Sequence, residues 1–226
     1  MPRSLRRGQY SKRAERETHL GEVNIANDKK PRRIGRPRDP SAHRKILETT
    51  LSMLETQSLQ DLTIEAIAKE AGVSKVTIYR WWPSKAMLVI EAFTEAHLVR
   101  TPMQRDLPPG PRLAKHLAML CEQYAGFPGR VVAQIIAEGQ HNPDTLRAFR
   151  EQFHYGRRAV VREVMEEWRQ SGEIDPKIEI EDLMDLLYAP VYMRLMLGHG
   201  GLDRVFVERH VRFTFSLLGA SVPEVY

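Results

Sequence analysis

The chain has 226 residues, of which 42% are hydrophobic, so it can form one large or two small domains with a true core. Its single cysteine, Cys121, excludes a disulfide-stapled scaffold and a cysteine-based zinc site. No apolar stretch approaches the roughly 18 residues of a membrane span, and no secretion signal is evident, so we expect a cytoplasmic protein without membrane contact.

The net charge of +5 comes from the N-terminus. Residues 1–40 contain 12 Lys or Arg against 5 Asp or Glu, whereas the remainder is slightly acidic. Few large apolar residues and no periodicity predict a disordered basic arm over residues 1–40. Arg33, Arg36 and Arg38 lie on a Gly/Pro backbone that suits the negative potential of a narrow A·T minor groove. A solubilising tail that touches phosphates without preference explains them equally well.

After an amphipathic helix that begins near Ser41, the pattern predicts two short helices and a tight turn. Thr63 is placed to cap the first of them, and Gly72 permits the positive φ that such a turn requires. Ser74 caps the second helix, and Ile78 anchors it. Its outer face carries cationic, aromatic and short side chains: Lys75, Val76, Thr77, Tyr79, Arg80 and Trp81. Such a face suits a DNA major groove, although the spacing also fits an ordinary helical hairpin.

Residues 67–88, IAKEAGVSKVTIYRWWPSKAML, resemble the DNA-binding signature of the TetR family of bacterial repressors. The family's elements stand at Ile67–Ala68, Ala71–Ser74, Thr77–Tyr79 and Ser84–Lys85. One departure lies at 57–61, where many relatives carry a glycine. The resemblance implies a homodimeric, ligand-responsive repressor of a palindromic double-stranded DNA operator, with activation also possible.

The same resemblance implies roles for individual side chains. Those best placed to read bases are Lys75, Val76 and Thr77. Those best placed to hold phosphates are Thr63, Tyr79, Trp81 and Lys85, with Arg80 suited to either role.

Beyond the signature, the remaining pattern is helical. A fourth helix runs from Pro83–Ser84 to about residue 98, and four prolines predict a loop over 101–111. Further helices are expected near 112–124, 130–140, 143–171, 179–197 and 203–218. The predicted fold is therefore all-α with about nine helices. It comprises a three-helix helix-turn-helix domain with its linking helix over 41–98, and a helical effector-binding and dimerisation domain over 99–226.

By the same resemblance, the helices between about 112 and 172 enclose the effector pocket. The candidates for its lining are His116, Met119, Tyr124, Ile135, Phe153, His154, Met165 and Trp168. This mixture of apolar and polar groups is typical of small-molecule pockets and favours an apolar or aromatic effector. It also fits an ordinary helical core.

The last two helices carry more apolar residues than solvent-facing helices need. In TetR-like proteins the final helices of two subunits pack together, which implies a dimer interface formed by Leu187, Val191, Leu195, Phe206, Phe213 and Leu217. The alternative is that these residues belong to the core of one subunit.

Signatures of catalysis are not evident. The sequence contains no Gly-rich phosphate loop, nucleophile elbow or HExxH motif, so we predict no enzyme activity, no metal and no cofactor. Two other readings stay open: a sequence-tolerant DNA-packaging protein without an effector, and a helical enzyme with an accessory DNA-binding hairpin.

Overall fold

The computed structural model describes residues 40–97 and 102–226, and the first of these ranges contains four helices. They are α1 (Pro40–Thr56), α2 (Ile64–Ala71), α3 (Lys75–Tyr79) and α4 (Lys85–His97). The predicted arm, with Arg33, Arg36 and Arg38, lies outside the described residues.

The second range begins with a loop and continues with six α-helices. They are α5 (Pro109–Tyr124), α6 (Phe127–His141), α7 (Pro143–Phe149), α8 (Tyr155–Gln170), α9 (Ile180–Leu197) and α10 (Arg204–Leu217). Residues Arg150–His154 form a π-helix that joins α7 to α8 without a break. Counted as continuous helices, the two described ranges contain nine and no strand, which confirms the all-α prediction.

Two helices begin earlier than the sequence pattern predicts. Helix α5 starts at Pro109 and α6 starts at Phe127, each with proline in its first turn. Proline is tolerated there because the first-turn N–H groups have no partner within the helix. The prolines therefore begin these helices and do not lengthen the loops before them.

A continuous apolar core runs through the described residues, which belong to one compact unit. At one end, α1, α2 and α3 pack around Ile46, Ile67 and Ile78, all fully buried. Helix α4 is apolar on most of its surface, because it contacts α1 on one side and α6, α7 and the π-helix on another. Its Phe93 lies edge-on to Phe153 of the π-helix, with ring centroids 5.2 Å apart.

The loop between α1 and α2 is held from two directions. The Leu59 N–H donates to Gln134 Oε1 of α6 at 2.6 Å. Lys85 Nζ at the start of α4 donates to the carbonyl oxygens of Leu62 at 2.6 Å and Gln60 at 3.2 Å. Loop 57–63 therefore connects the helix-turn-helix directly to α4 and α6.

None of the helices in the described ranges combines the length and the apolarity that a bilayer crossing requires.

Candidate DNA interface and ligand cavity

Local signals in the sequence fix the geometry of the helix-turn-helix. Thr63 caps α2 by accepting a hydrogen bond from the Ala66 N–H at 3.1 Å. Gly72 ends α2 with a φ of 69°, in the left-handed region that glycine adopts without strain. Ser74 then caps α3 by accepting from the Thr77 N–H at 3.2 Å. These three predicted roles are confirmed.

The outer face of α3 is open to solvent. Val76 is 77% exposed and Tyr79 is 53% exposed, whereas Ile78 on the opposite face is fully buried. Thr77 is half-buried, and its hydroxyl lies 3.0 Å from that of Ser74. An exposed apolar Val76 at the centre of a polar surface suits contact with a thymine methyl group in a major groove.

Lys75 on this face forms an exposed ion pair with Glu65 of α2. Its Nζ lies 2.8 Å from Glu65 Oε1. The hydrogen bond and charge of Glu65 raise the pKa of Lys75, and the reciprocal contact lowers the pKa of Glu65. Such an exposed pair contributes little to stability and can open to let Lys75 reach a base.

Trp81 departs from the expectation of an exposed phosphate contact. It is half-buried, its Nε1 is inaccessible, and its ring lies 5.4 Å from that of Trp82 and 5.2 Å from that of His43. The cause is packing, because Trp81, which follows α3, lies against His43 of α1. With its indole N–H directed inward, Trp81 supports α3 and does not present a donor to a phosphate.

Trp82, His43 and Glu91 form a polar-aromatic cluster that the sequence reasoning missed. The Trp82 indole N–H donates to Glu91 Oε2 at 2.7 Å, and His43 Nε2 lies 2.9 Å from Glu91 Oε1. The rings of His43 and Trp82 stack with their centroids 4.9 Å apart. The cluster fixes the end of α3 against α1 and α4. The Trp-Trp pair directly after the recognition helix is the signal that could have indicated it.

Lys85 and Arg80, two predicted phosphate contacts, differ in the contacts that their charged groups already make. Arg80 is exposed, with its guanidinium carbon 5.8 Å from the Trp81 ring centroid. Lys85 already donates to two carbonyl oxygens of the α1–α2 loop. Because an ammonium has three donors, one remains for a phosphate.

Among the residues that the structure describes, one group has the donor types of a metal site. His43, Glu91 and Glu95 each offer a ligand atom, and these atoms lie within 4.8 Å of one another. The contacts of Glu91 with Trp82 and His43 already account for this arrangement as a connection between helices.

A cavity of about 560 Å³ lies in the second half of the chain, within the range of small-molecule pockets. It is formed by α5, α6, α7, the π-helix, α8 and α9. Its apolar wall is made by Leu120, Ile136, Leu146, Phe149, Val161, Met184, Ala189, Met193, Met196 and Leu197. Its polar groups are His116, Arg150, His154, Arg157, Arg158, Asp185, Tyr188 and Tyr192. Three of its lining side chains, Met193, Met196 and Leu197, are also exposed.

Two of the predicted pocket residues, His116 and His154, line this cavity. The others lie elsewhere, and their assignment is corrected. Met119 is half-buried and outside the lining, whereas the rest are core: Tyr124, Ile135, Phe153, Met165 and Trp168. Phe153 packs against Phe149 and Phe93, and Trp168 packs against Phe215. Their apolar surfaces meet side chains and not the open space.

His116 is a buried neutral group in the cavity wall. Its Nδ1 shares a hydrogen bond of 2.8 Å with the Tyr188 hydroxyl. Burial, and then the charge of Arg157, lowers the pKa of His116 to about 4. Burial also raises the pKa of the Tyr188 hydroxyl, so both groups are uncharged at neutral pH. They can orient a ligand by hydrogen bonding without a charge of their own.

The predicted dimer residues separate into two groups. Leu187, Val191 and Phe206 are buried within the chain, so their assignment to an intersubunit surface is corrected; Leu195 is half-buried against the core. Phe213 and Leu217 are 61% and 63% exposed. Further exposed apolar side chains lie on the same two helices: Met193, Leu197 and Val205.

A capped helix-turn-helix with an open second helix, joined to a helical body that encloses a cavity, is the arrangement of a helix-turn-helix transcriptional regulator. The TetR-family regulatory-protein model matches residues 46–92, and the model of the tetracyclin repressor-like C-terminal domain matches residues 112–214.

Relatives span nearly the same length. An uncharacterised transcriptional regulator of Bacillus subtilis strain 168, YdeS, is 30% identical over 181 residues, which cover 80% of this chain and 91% of that protein. Rv1556, an uncharacterised regulator of Mycobacterium tuberculosis strain H37Rv, is 31% identical over 67% of this chain and 77% of its own. The crystal structure of the TetR-family regulator SCO0332 aligns with a TM-score of 0.65 at 28% identity, over 81% of this chain and all of that one. The chain belongs to the TetR family of DNA-binding transcriptional regulators, which are not enzymes.

Proposed function

We propose that this regulator is a cytoplasmic homodimeric repressor that binds a palindromic operator and releases it when a small molecule enters the cavity. The observation that supports the proposal is a connection between the cavity wall and the helix-turn-helix. The cavity wall includes Arg150 and His154 of the π-helix, and Phe153 of that same π-helix packs on α4, which supports the helix-turn-helix. The proposed boundary between a DNA-binding part (41–98) and a regulatory part (99–226) falls beyond α4.

In the proposed complex, α3 of each subunit enters a major groove. Lys75, Val76 and Thr77 read bases, because they open the helix whose N-terminal residues meet the base edges. Tyr79, Arg80 and the remaining donor of Lys85 contact phosphates, together with the N-terminus of α2 at Thr63. The arm over residues 1–40, with Arg33, Arg36 and Arg38, adds a minor-groove contact.

The homodimer forms through the exposed apolar side chains of α9 and α10. Phe213 and Leu217 keep their predicted role, and Met193, Leu197 and Val205 replace the buried Leu187, Val191 and Phe206. A two-fold contact would remove this apolar surface from water and set the two α3 helices about 34–36 Å apart, one turn of DNA.

The operator is released if the ligand binds the conformation that does not bind DNA more tightly than the one that does. Equal affinity for the two conformations would not shift the equilibrium between them. A ligand between α7, α8 and α9 displaces the π-helix, and the contact of Phe153 with Phe93 carries the displacement to α4.

The test is selection of bound sequences from a random DNA pool at near-physiological salt. We expect a palindromic consensus, and we expect Lys75→Ala to relax base preference at specific positions of each half-site. The matched control is Lys69→Ala, an exposed lysine on α2 outside the recognition helix. Without enrichment, and with binding that collapses as salt rises, the packaging function would replace the proposal.

A further inference from the structure

The contacts of Glu91 that connect the helices leave the position of Glu95 unexplained. The Trp82 indole N–H and His43 Nε2 each contact one oxygen of Glu91, and these contacts join α4 to α1 and to the segment after α3. Glu95 takes no part in them. It lies on α4 one turn beyond Glu91, so the two side chains share a face of the helix. One ligand atom of each glutamate and one of His43 lie within 4.8 Å of one another.

Two of these three ligand groups are held in place by neighbouring rings. The imidazole of His43 stacks on Trp82 with centroids 4.9 Å apart and lies edge-on to Trp81 at 5.2 Å. The Trp82 N–H fixes the carboxylate of Glu91, as outer-shell hydrogen bonds do for carboxylates that bind metals. Because these groups are ordered in advance, an ion that binds them meets a smaller entropic cost.

The distances suit a zinc ion. Nitrogen and oxygen ligands lie about 2.0–2.2 Å from Zn²⁺, so two ligands of one ion are about 2.9–3.4 Å apart. His43 Nε2 and Glu91 Oε1 are 2.9 Å apart. The remaining spacings are within 4.8 Å, and rotation of the exposed Glu95 side chain brings its oxygen closer. A bound ion displaces the proton shared by His43 and Glu91, since the nitrogen that binds a metal carries none.

A cavity and the local charge also favour a divalent cation. The cavity has about 360 Å³ and is lined by Pro40, His43, Trp81 and Glu91. It leaves room for a water molecule as the fourth ligand of a tetrahedral ion. With a neutral imidazole, the group has a formal charge of −2, which a divalent cation balances. The imidazole favours zinc over Mg²⁺ and Ca²⁺, which prefer oxygen ligands alone.

We propose that His43, Glu91 and Glu95 bind one Zn²⁺ ion, with water as its fourth ligand. The ion holds α1 against α4, beside the tryptophan pair that follows the recognition helix. Zinc binding here would contradict the sequence-based prediction of no metal, which failed to join a histidine of α1 to two glutamates far along the chain. The site needs neither the operator nor the effector cavity, so it is tested without DNA.

The test is titration calorimetry of the full chain with Zn²⁺ at about pH 7.5, after a chelator has removed bound metals. We expect one tightly bound ion per chain, with a Kd of about 1 μM or lower. Mg²⁺ should not bind over the same range of concentrations, because the site contains an imidazole. A Kd for Zn²⁺ above about 100 μM would overturn the proposal.

Two variants assign the ligands. Glu95→Gln removes one ligand and leaves the other contacts of the group in place, whereas His43→Phe removes the nitrogen but keeps a ring beside Trp82. Each should weaken Zn²⁺ binding about tenfold or more. The matched controls, Glu48→Gln and His141→Gln, change exposed residues outside the group and should bind as the parent does. Parent-like affinity in Glu95→Gln or in a folded His43→Phe, or equal weakening in the controls, would overturn the assignment. Glu95→Gln decides alone if His43→Phe fails to fold.

Tryptophan emission locates the ion independently. Co²⁺ accepts similar ligands and quenches tryptophan at short range. Of the three tryptophans, Trp81 and Trp82 lie against His43, whereas Trp168 belongs to α8. We expect Co²⁺ to quench the emission of the parent, and Glu95→Gln to require about tenfold more Co²⁺ for the same loss. Saturation with Co²⁺ without quenching would place the ion away from this pair and overturn the proposal.

Discussion

One residue of the cavity wall, His116, makes the stability of this fold depend on pH. His116 is buried and neutral, with a pKa of about 4 against 6.5 for an unperturbed histidine. As pH falls below 6.5, the unfolded chain takes up a proton at this position while the folded chain does not. Stability is therefore lost between 6.5 and about 4 and levels off below that range.

We expect the free energy of unfolding to fall by about 2 kcal/mol at this site between about pH 7.5 and pH 5. Urea unfolding at both pH values measures it. His116→Gln should show a smaller fall, and the exposed His141→Gln should behave like the parent. If His116→Gln has the parent's pH dependence, the buried-neutral description of His116 is wrong.

At position 129 the surrounding atoms leave no space for a side chain larger than that of glycine. A Cβ on Gly129 would lie 1.9 Å from the Tyr124 carbonyl oxygen and 2.9 Å from Leu195 Cδ1. Because the backbone of the α5–α6 turn would have to move, Gly129→Ala should cost about 2 kcal/mol or more. In α8, Gly156 has open space around its Cβ position, so Gly156→Ala should stabilise by about 0.5–1 kcal/mol. Thermal unfolding of both variants checks this contrast, which similar melting temperatures would contradict.

At the scale of elements, α6 is the second connection between the cavity and the helix-turn-helix. It carries Ile136 in the cavity wall and, about half a turn earlier, Gln134, which accepts the Leu59 N–H. A ligand that moves α6 therefore moves the loop that precedes α2. This connection acts beside the contact between the π-helix and α4.

The Gln134→Leu variant should bind the ligand alone and the operator alone as tightly as the parent does. Ligand should lower the operator affinity of the variant several-fold less than it lowers that of the parent. The measurement is operator affinity with and without saturating ligand. Gln140→Leu is the control, because Gln140 is exposed on the same helix and bonds only its own helix in the described contacts. If ligand lowers the operator affinity of Gln134→Leu as much as that of the parent, the effect of the ligand reaches the helix-turn-helix through α4 and not through Gln134.

Element types, and the ends of α2 and the start of α3, were predictable because their signals are local. Thr63, Ser74 and Gly72 act on backbone groups a few residues away, so spacing alone identifies them. The cavity was predictable only in part. Helical periodicity distinguishes a buried face from an exposed one, but it cannot tell whether that face meets a void, as at His154, or another side chain, as at Trp168.

At the scale of the whole molecule, the same limit of helical periodicity explains why Leu187, Val191 and Phe206 were predicted at a dimer surface although they are buried within the chain. Helix α9 is apolar on most of its faces, so periodicity does not separate the core residue Leu187 from the exposed Met193. Only the packing of α9 against α5, α6, α8 and α10 shows which side is left open.

The proposed two-fold contact gives a direct prediction for assembly. Phe213→Glu combined with Leu217→Glu should convert a dimer to a monomer in sedimentation experiments and weaken operator binding strongly, because the burial of apolar surface is replaced by four carboxylates per interface. Val160→Glu, a change at an exposed apolar residue of α8, should leave the dimer intact. Dimers that persist in the double variant would move the interface elsewhere.

The π-helix at Arg150–His154 also bears on how this chain is compared with its relatives. A π turn contains one residue more than an α turn, and inserting a single residue into an α-helix rotates everything after it by about 100°. The wider π turn takes up such an extra residue, so α8 keeps its orientation while its sequence numbering shifts by one residue. A sequence alignment that runs through this turn without a gap would then pair Arg157 with residues that point away from the cavity in relatives lacking the insertion.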